Sequence, residues 1–216
     1  MNVFLRLSAL AVALGLSVGQ AGAQTVSMSG RLGDRALLMI DGSPRTVAVG
    51  STVQGVKLVS VTADASVVEL GGKRITLPMG GAQINLGGAA SEGGGSTIVL
   101  AAGPGGHFVT GGSINGRAVQ FVVDTGATSV AISASEAESI GLKYKDGQRG
   151  MVNTANGAVP AYRVMLASVR VGDVQVYNVE ALVVPASMNY VLLGNSFLTR
   201  FQMKRENDVM RLEKRP

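Results

Sequence analysis

The stretch Phe121-Val122-Val123-Asp124-Thr125-Gly126-Ala127-Thr128 decides how the rest of the chain is read. Three apolar residues run straight into a carboxylate and a glycine. Alternating Val119, Phe121 and Val123 mark the segment as a strand, so Asp124 stands at the end of a buried apolar element. That is a costly place for a charge unless a hydrogen-bond donor, a partner or a function keeps it there. Taken alone, Asp-Thr-Gly is a tripeptide that an ordinary Asx turn would also explain.

Working outward, Phe108 to Ile114 leads into Asn115-Gly116, a pair suited to positive φ, and Arg117 to Val123 returns as the second arm of a hairpin. Downstream, Val130-Ala131-Ile132 meets Ser133-Ala134-Ser135-Glu136, the pattern of a capping box, and Gly141 stops the short helix so predicted. Met151 to Thr154 and Ala158 to Val164 flank Asn156-Gly157, a second hairpin signal. Short strands are expected at 166–171, 174–176 and 179–184. They are followed by Tyr190-Val191-Leu192-Leu193-Gly194, a turn of helix at Ser196 to Thr199, and a terminal hairpin of 201–205 with 209–213.

Here the sequence resembles the retropepsin-like aspartic proteases, in particular their bacterial periplasmic members. The resemblance rests on the apolar strand into Asp124-Thr125-Gly126-Ala127, the later hairpin tipped by Asn156-Gly157, and the Leu192-Leu193-Gly194 signature before a short helix. It covers about 110 residues, from His107 to the C-terminus, with the elements in family order. It implies an all-β, half-barrel acid-protease fold with one short helix, and an aspartic endopeptidase. Asp124 becomes the catalytic carboxylate. Thr125 holds the paired loops across a dimer axis, Gly126 permits close backbone approach, and Ala127 completes the active-site loop. Thr154, Ala155, Asn156 and Gly157 form a flap that binds extended peptide by strand addition. Leu192, Leu193 and Gly194 pack beneath the loop as scaffold.

Hydrolysis by this route needs two carboxylates sharing one proton. The chain holds a single Asp-Thr-Gly and no Asp-Ser-Gly, so a working site must use two copies of Asp124 in a homodimer. Ala127 lacks the hydroxyl that pepsin-like enzymes often carry at this place, which implies an optimum from mildly acidic to near-neutral pH. Retroviral members commonly carry Asp soon after the triad and Arg or Asp after the later Gly. This chain has Thr128 and Asn195, so the charged brace of the retroviral loop is missing.

Composition agrees by exclusion. The 216 residues contain no Cys, no Trp and one His, which removes thiol chemistry and disulfides and makes a dedicated zinc site improbable. No metal or organic cofactor is expected. His107 reads as a surface or packing residue. Apolar residues make up 46% but aromatics only 4%, and 30 glycines accompany them, pointing to short strands and tight turns. The formal charge of +5 invites a nucleic-acid reading. The basic residues near the C-terminus, however, are interleaved with Glu206, Asp208 and Glu213 and carry no aromatic stacking residues, so a solvated surface accounts for them and no nucleic-acid partner is expected.

Residues 1–23 read as a secretory signal peptide. A positive start at Met1 to Arg6 precedes an apolar stretch from Leu7 to Val18 and small residues at Ala21-Gly22-Ala23. The apolar stretch is shorter than the roughly 20 residues a membrane span needs. The expectation is therefore a soluble periplasmic or otherwise secreted protein, with no stable membrane span after cleavage. A Gly-x-Ser-x-Gly match at 15–19 lies inside this segment and is read as accidental. Residues 27–79 read as a small all-β module and 80–106 as a flexible Gly-rich linker open to self-processing. The protease-like unit occupies 107–216. Because the module has no recognisable catalytic spacing, a second reading stays open: a non-catalytic periplasmic binding or assembly protein that retains the protease fold.

Overall fold

The computed structural model describes residues 24–81, 84–86, 95–154 and 157–216. The signal-peptide segment and the flap residues Ala155 and Asn156 therefore lie outside the described residues, and only the backbone of Thr154 is described. The chain is nearly all β, as its residue pattern requires.

Among the described residues, the first unit holds eight strands: β1 (Gln24–Leu32), β2 (Arg35–Ile40), β3 (Ser43–Ala48), β4 (Thr52–Val53), β5 (Val56–Val61), β6 (Ala65–Leu70), β7 (Lys73–Pro78) and β8 (Ile84–Leu86). They form two antiparallel sheets, ordered β3-β2-β1-β8 and β4-β5-β6-β7. The β2–β3 turn places Asp41 and Gly42 both at positive φ, 49° and 72°, the twist that a two-residue hairpin favours. Pro44, which has no amide proton to donate, sits on the edge strand β3. Val26, Leu38, Val56, Leu58 and Val68 are among the side chains that close a core between the two sheets.

Among the described residues, ten strands and two helices build the second unit. They are β9 (Thr97–Ala101), β10 (Val109–Ile114), β11 (Arg117–Val123), β12 (Val130–Ser133), helix α1 (Ala134–Ser139), β13 (Gln148–Thr154), β14 (Gly157–Val171), β15 (Val174–Val184), β16 (Val191–Leu193), helix α2 (Asn195–Leu198), β17 (Phe201–Glu206) and β18 (Val209–Lys214), with short 3-10 turns at Pro104–Gly106 and Tyr144–Asp146. The main sheet runs β10-β11-β16-β12-β15-β14-β13, and β10 also pairs with β14 through Ser113↔Arg170 and Ile114↔Val169, curling the sheet into a half-barrel. Phe121, Ile132, Leu166, Leu193 and Phe197 fill its interior, each with no exposed surface. Phe197 stacks on Phe201 at 5.0 Å between ring centroids.

The local signals act as their chemistry demands. Asn115 and Gly116 take φ of 50° and 80°. Ser133 Oγ accepts from the Glu136 amide at 3.1 Å, a cap that contributes about 1 kcal/mol. Leu142 N donates to Ala137 O and Gly141 N to Glu138 O, so α1 ends in a Schellman motif with Gly141 at φ 70°. The short strands expected between 158 and 184 are instead two long ones, β14 and β15, joined at Gly172-Asp173. Asn178 takes φ 53° within β15, and the pairing with β14 keeps one register on both sides of it.

The stretch 80–106, read as a linker, is corrected in part. Ile84–Leu86 pairs with β1, and Thr97–Ala101 is the third strand of a β17-β18-β9 sheet. Much of the remaining glycine-rich run lies outside the described residues. The apolar run Ala36 to Ile40 has a related explanation, since β2 is buried on both faces. Ala36, Leu38 and Ile40 point into the module core, whereas Leu37 and Met39 pack on Val99 and Ala101 of β9. Gly30 of β1 passes so close to Ala101 that a Cβ there would lie 3.1 Å from the Ala101 amide nitrogen. Burying Leu37, Met39 and Val99 in this way is worth roughly 1.5–3 kcal/mol each, so the module is docked on the second unit.

Candidate active site

The ends of two parallel strands create the site. β11 and β16 pair in register, Phe121↔Val191, Val122↔Leu192 and Val123↔Leu193, so both chains leave the sheet at one level. Asp124 leaves one end and Gly194 the other. The Asp124 amide donates to Leu193 O at 3.2 Å. Its carboxylate folds back on the turn, with Oδ1 accepting from the Gly126 amide at 2.9 Å, and among the described residues no other group bonds to it. Asp124 is half-buried, and Thr125 and Gly126 are exposed. A carboxylate stabilised by one backbone donor and open to solvent can accept a proton from water or meet a second carboxylate.

The loop is fastened from below. Asn195 Nδ2 donates to Thr125 O at 3.0 Å, and the Asn195 amide donates to Ala127 O at 2.9 Å. The Ser196 amide donates a hydrogen bond to Thr128 O at 3.0 Å, while its hydroxyl accepts from Val130 N and donates to Glu180 O. Ser129 Oγ donates to Glu180 Oε1 at 2.9 Å, and Glu180 Oε2 reaches Arg163 at 3.8 Å. Asn195, in which the sequence shows only a missing charge, is thus a neutral brace. Its partner lies 70 positions away, beyond the reach of any local pattern.

Leu193 is fully buried and Leu192 partly so, while Gly194 is buried. Gly194 takes φ −89°, a conformation open to any residue, so its smallness is the point. A Cβ there would stand 2.7 Å from the Ser129 carbonyl carbon and 2.9 Å from Ala127 O. Leu193 thus meets the Asp124 loop through its carbonyl and Gly194 through close packing on Ala127 and Ser129, while Leu192 pairs with Val122 and Ala131. Ala127 offers no hydroxyl, and among the described residues no side-chain hydroxyl donates to Asp124.

The hairpin β13–β14 occupies the far edge of the main sheet. Thr154 pairs with Gly157, so Gly157 belongs to a strand. Gly157, at φ 103°, opens the return strand. His107 lies beside a cleft between the two units and resembles no ligand cluster; among the described residues no three His, Asp or Glu side chains gather as a metal-binding group. No helix among them is long and apolar enough to cross a membrane.

Residues 110–200 match the family described as "gag-polyprotein putative aspartyl protease". The chain is 36% identical over 110 residues to an uncharacterized protein in the cobV 5' region of a Sinorhizobium species, a match covering 50% of this chain and 47% of the relative. It is 33% identical over 110 residues to the uncharacterized protein RP867 of Rickettsia prowazekii, covering 49% and 46% respectively. The chain thus spans about half the length of these curated relatives. Among solved structures, a retropepsin-like aspartic protease from Rickettsia conorii is similar at 29% identity and a TM-score of 0.49, over 55% of this chain and 90% of that one. EIAV protease complexed with the inhibitor HBY-793 is similar at 18% identity and a TM-score of 0.35, over 42% and 84%.

Proposed function

From a retropepsin-like fold built around one Asp-Thr-Gly loop, we propose that the chain is an aspartic endopeptidase whose water-activating pair is formed by Asp124 of two copies. The observation that carries this reading is the Asp124 carboxylate. It sits at the rim of the sheet on a loop fixed by Leu193 and Asn195, and among the described residues it has a single backbone donor and no second carboxylate bonded to it. In the pair, one carboxylate takes a proton from water as the oxygen attacks the peptide carbonyl. The other gives its proton to the carbonyl oxygen, and collapse of the tetrahedral intermediate passes a proton to the leaving amine. Thr125 and Gly126, exposed beside Asp124, are where the partner loop would meet this one. The β13–β14 hairpin would close over an extended peptide and bind it through backbone hydrogen bonds. The reading of residues 1–23 as an export signal supports work outside the cytoplasm, and the N-terminal sequence of the secreted protein tests that part.

The test of activity uses the purified wild type and Asp124→Asn, each mixed with unfolded polypeptide across pH. Cleavage by the wild type alone supports the proposal. Equal cleavage by both, or none by either at concentrations where sedimentation shows a dimer, would sink it.

A further inference from the structure

We infer that Glu180 is a positioning residue that ties the Asp124 loop to the β13–β14 hairpin. This rests on reading Asp124 as the catalytic carboxylate and the hairpin as the cover over the peptide.

Strand register puts these parts on one face of the main sheet. Val122 pairs with Leu192, Leu192 with Ala131, Ala131 with Leu182 and Leu182 with Arg163, so their side chains form one row across β11, β16, β12, β15 and β14. None of the row is fully buried, whereas Phe121, Val191, Val130 and Ala181 beside it point into the core. Two positions further towards the rim, the same face carries Asp124 beyond β11, Ser129 before β12 and Glu180 on β15.

Ser129 closes the loop that begins at Asp124. It is only 4% exposed, and its hydroxyl donates to Glu180 Oε1 at 2.9 Å. The Glu180 carbonyl accepts from Ser196 Oγ at 2.7 Å, and that hydroxyl accepts in turn from Val130 N at 3.0 Å. Side chain and backbone of Glu180 thus both hold the end of the loop. On its other side the carboxylate reaches Arg163 Nη1 at 3.8 Å, and Arg163 pairs with Gln148 of β13. The two arms differ in strength. A buried hydroxyl that loses its acceptor is left unsatisfied, whereas the Arg163 and Glu180 side chains are 57% and 38% exposed and their attraction is screened by solvent and salt. The loop arm therefore acts on kcat, through the placement of Asp124, and the weaker hairpin arm on KM, through closure over the peptide.

The experiment measures kcat and KM on one cleaved peptide for the full-length wild type, Glu180→Ala, Glu180→Gln, Ser129→Ala and Arg163→Gln, and for Glu180→Ala combined with each of the last two. Ser129→Ala should lower kcat about tenfold, and Arg163→Gln should raise KM about threefold. Glu180→Gln, whose amide oxygen still accepts from Ser129, should keep kcat and raise KM. Glu180→Ala should show both losses, and neither second substitution should add to them. A merely structural residue would lower stability without this division. Effects of Ser129→Ala and Arg163→Gln that are the same with and without the Glu180 carboxylate overturn the inference and leave the catalytic reading standing. A second readout needs no catalysis. Hydrogen exchange across 124–130, followed by mass spectrometry, should quicken about tenfold in Glu180→Ala and stay near wild type in Glu180→Gln. That result without cleavage by any protein supports the positioning role and removes only the catalytic reading. Neither cleavage nor a change in exchange overturns both. Should Glu180→Ala fail to fold, an unchanged KM in both Glu180→Gln and Arg163→Gln overturns the inference.

Discussion

Replacing Gly194 by Ala adds one methyl group at the point where the end of β16 touches the loop that carries Asp124. The backbone there, at φ −89°, accepts alanine without strain, so the effect is steric. The new Cβ would sit 2.7 Å from the Ser129 carbonyl carbon and 2.9 Å from Ala127 O, against 3.4–4 Å for ordinary contact. Both neighbours are backbone, and neither can rotate away. The segment Ala127 to Ser129 must therefore retreat by about 0.5–1 Å, at about 1–3 kcal/mol for overpacking. For a chain of this size that lowers the melting temperature by roughly 2–12 °C. The same retreat displaces the loop that carries Asp124, and a misplacement near 1 Å costs on the order of 10²-fold in rate. Calorimetry and kcat/KM on a cleaved peptide read the two effects separately. Gly150→Ala, with nothing within 4 Å of its Cβ, serves as the stability control and should shift the melt by no more than about 0.5 kcal/mol. A Gly194→Ala protein that melts within a degree of wild type and keeps its kcat/KM would refute the steric reasoning.

Three further outcomes follow from the same geometry. Asn195→Ala removes the donor to Thr125 O and should cost about 1 kcal/mol in urea unfolding, with a larger loss in kcat than in KM because the loop is less well placed. Ala127→Ser supplies a hydroxyl beside the carboxylate and should move the acid limb of the pH–rate profile to lower pH; an unmoved limb counts against the account of this position. Burial, first, holds the Asp173 carboxyl above its usual range, partly offset by a bond from its own amide and by Arg170. The folded protein thus keeps this proton to a higher pH than the unfolded chain, so stability falls as pH rises through the carboxylate range and is level above it. Asp173→Asn should remove that fall and raise stability at neutral pH, as followed by thermal melts across pH.

What the sequence made legible was local. Asn115-Gly116, the Ser133 cap and Gly141 each carry their structural instruction within a few residues, and Asp124-Thr125-Gly126 announces itself by placing a charge at the end of an apolar strand. The features that escaped reading are pairings between distant segments. Thr97 to Ala101 looked like a short apolar island in a glycine-rich connector because its partners, β18 and the Leu37 and Met39 face of β2, lie far away in sequence. The run Ala36 to Ile40 is buried on both faces because the second face of β2 is covered by Val99 and Ala101 of β9, about sixty positions away. Asn195 showed an absence of charge, and only its bond to Thr125 O reveals the substitute brace. Long strands β14 and β15 read as shorter runs because what carries each past Met165 and Tyr177 is its pairing with the other.

The central claim, a site shared by two copies of Asp124, is tested most directly by subunit mixing. Wild type is allowed to exchange with increasing amounts of Asp124→Asn, and activity is measured per wild-type chain. A shared site predicts a fall to about half at equal amounts and to roughly a quarter at threefold excess, because most wild-type chains then sit in mixed dimers. Activity per wild-type chain that stays constant after exchange, with mixed dimers shown by mass spectrometry, would contradict the account.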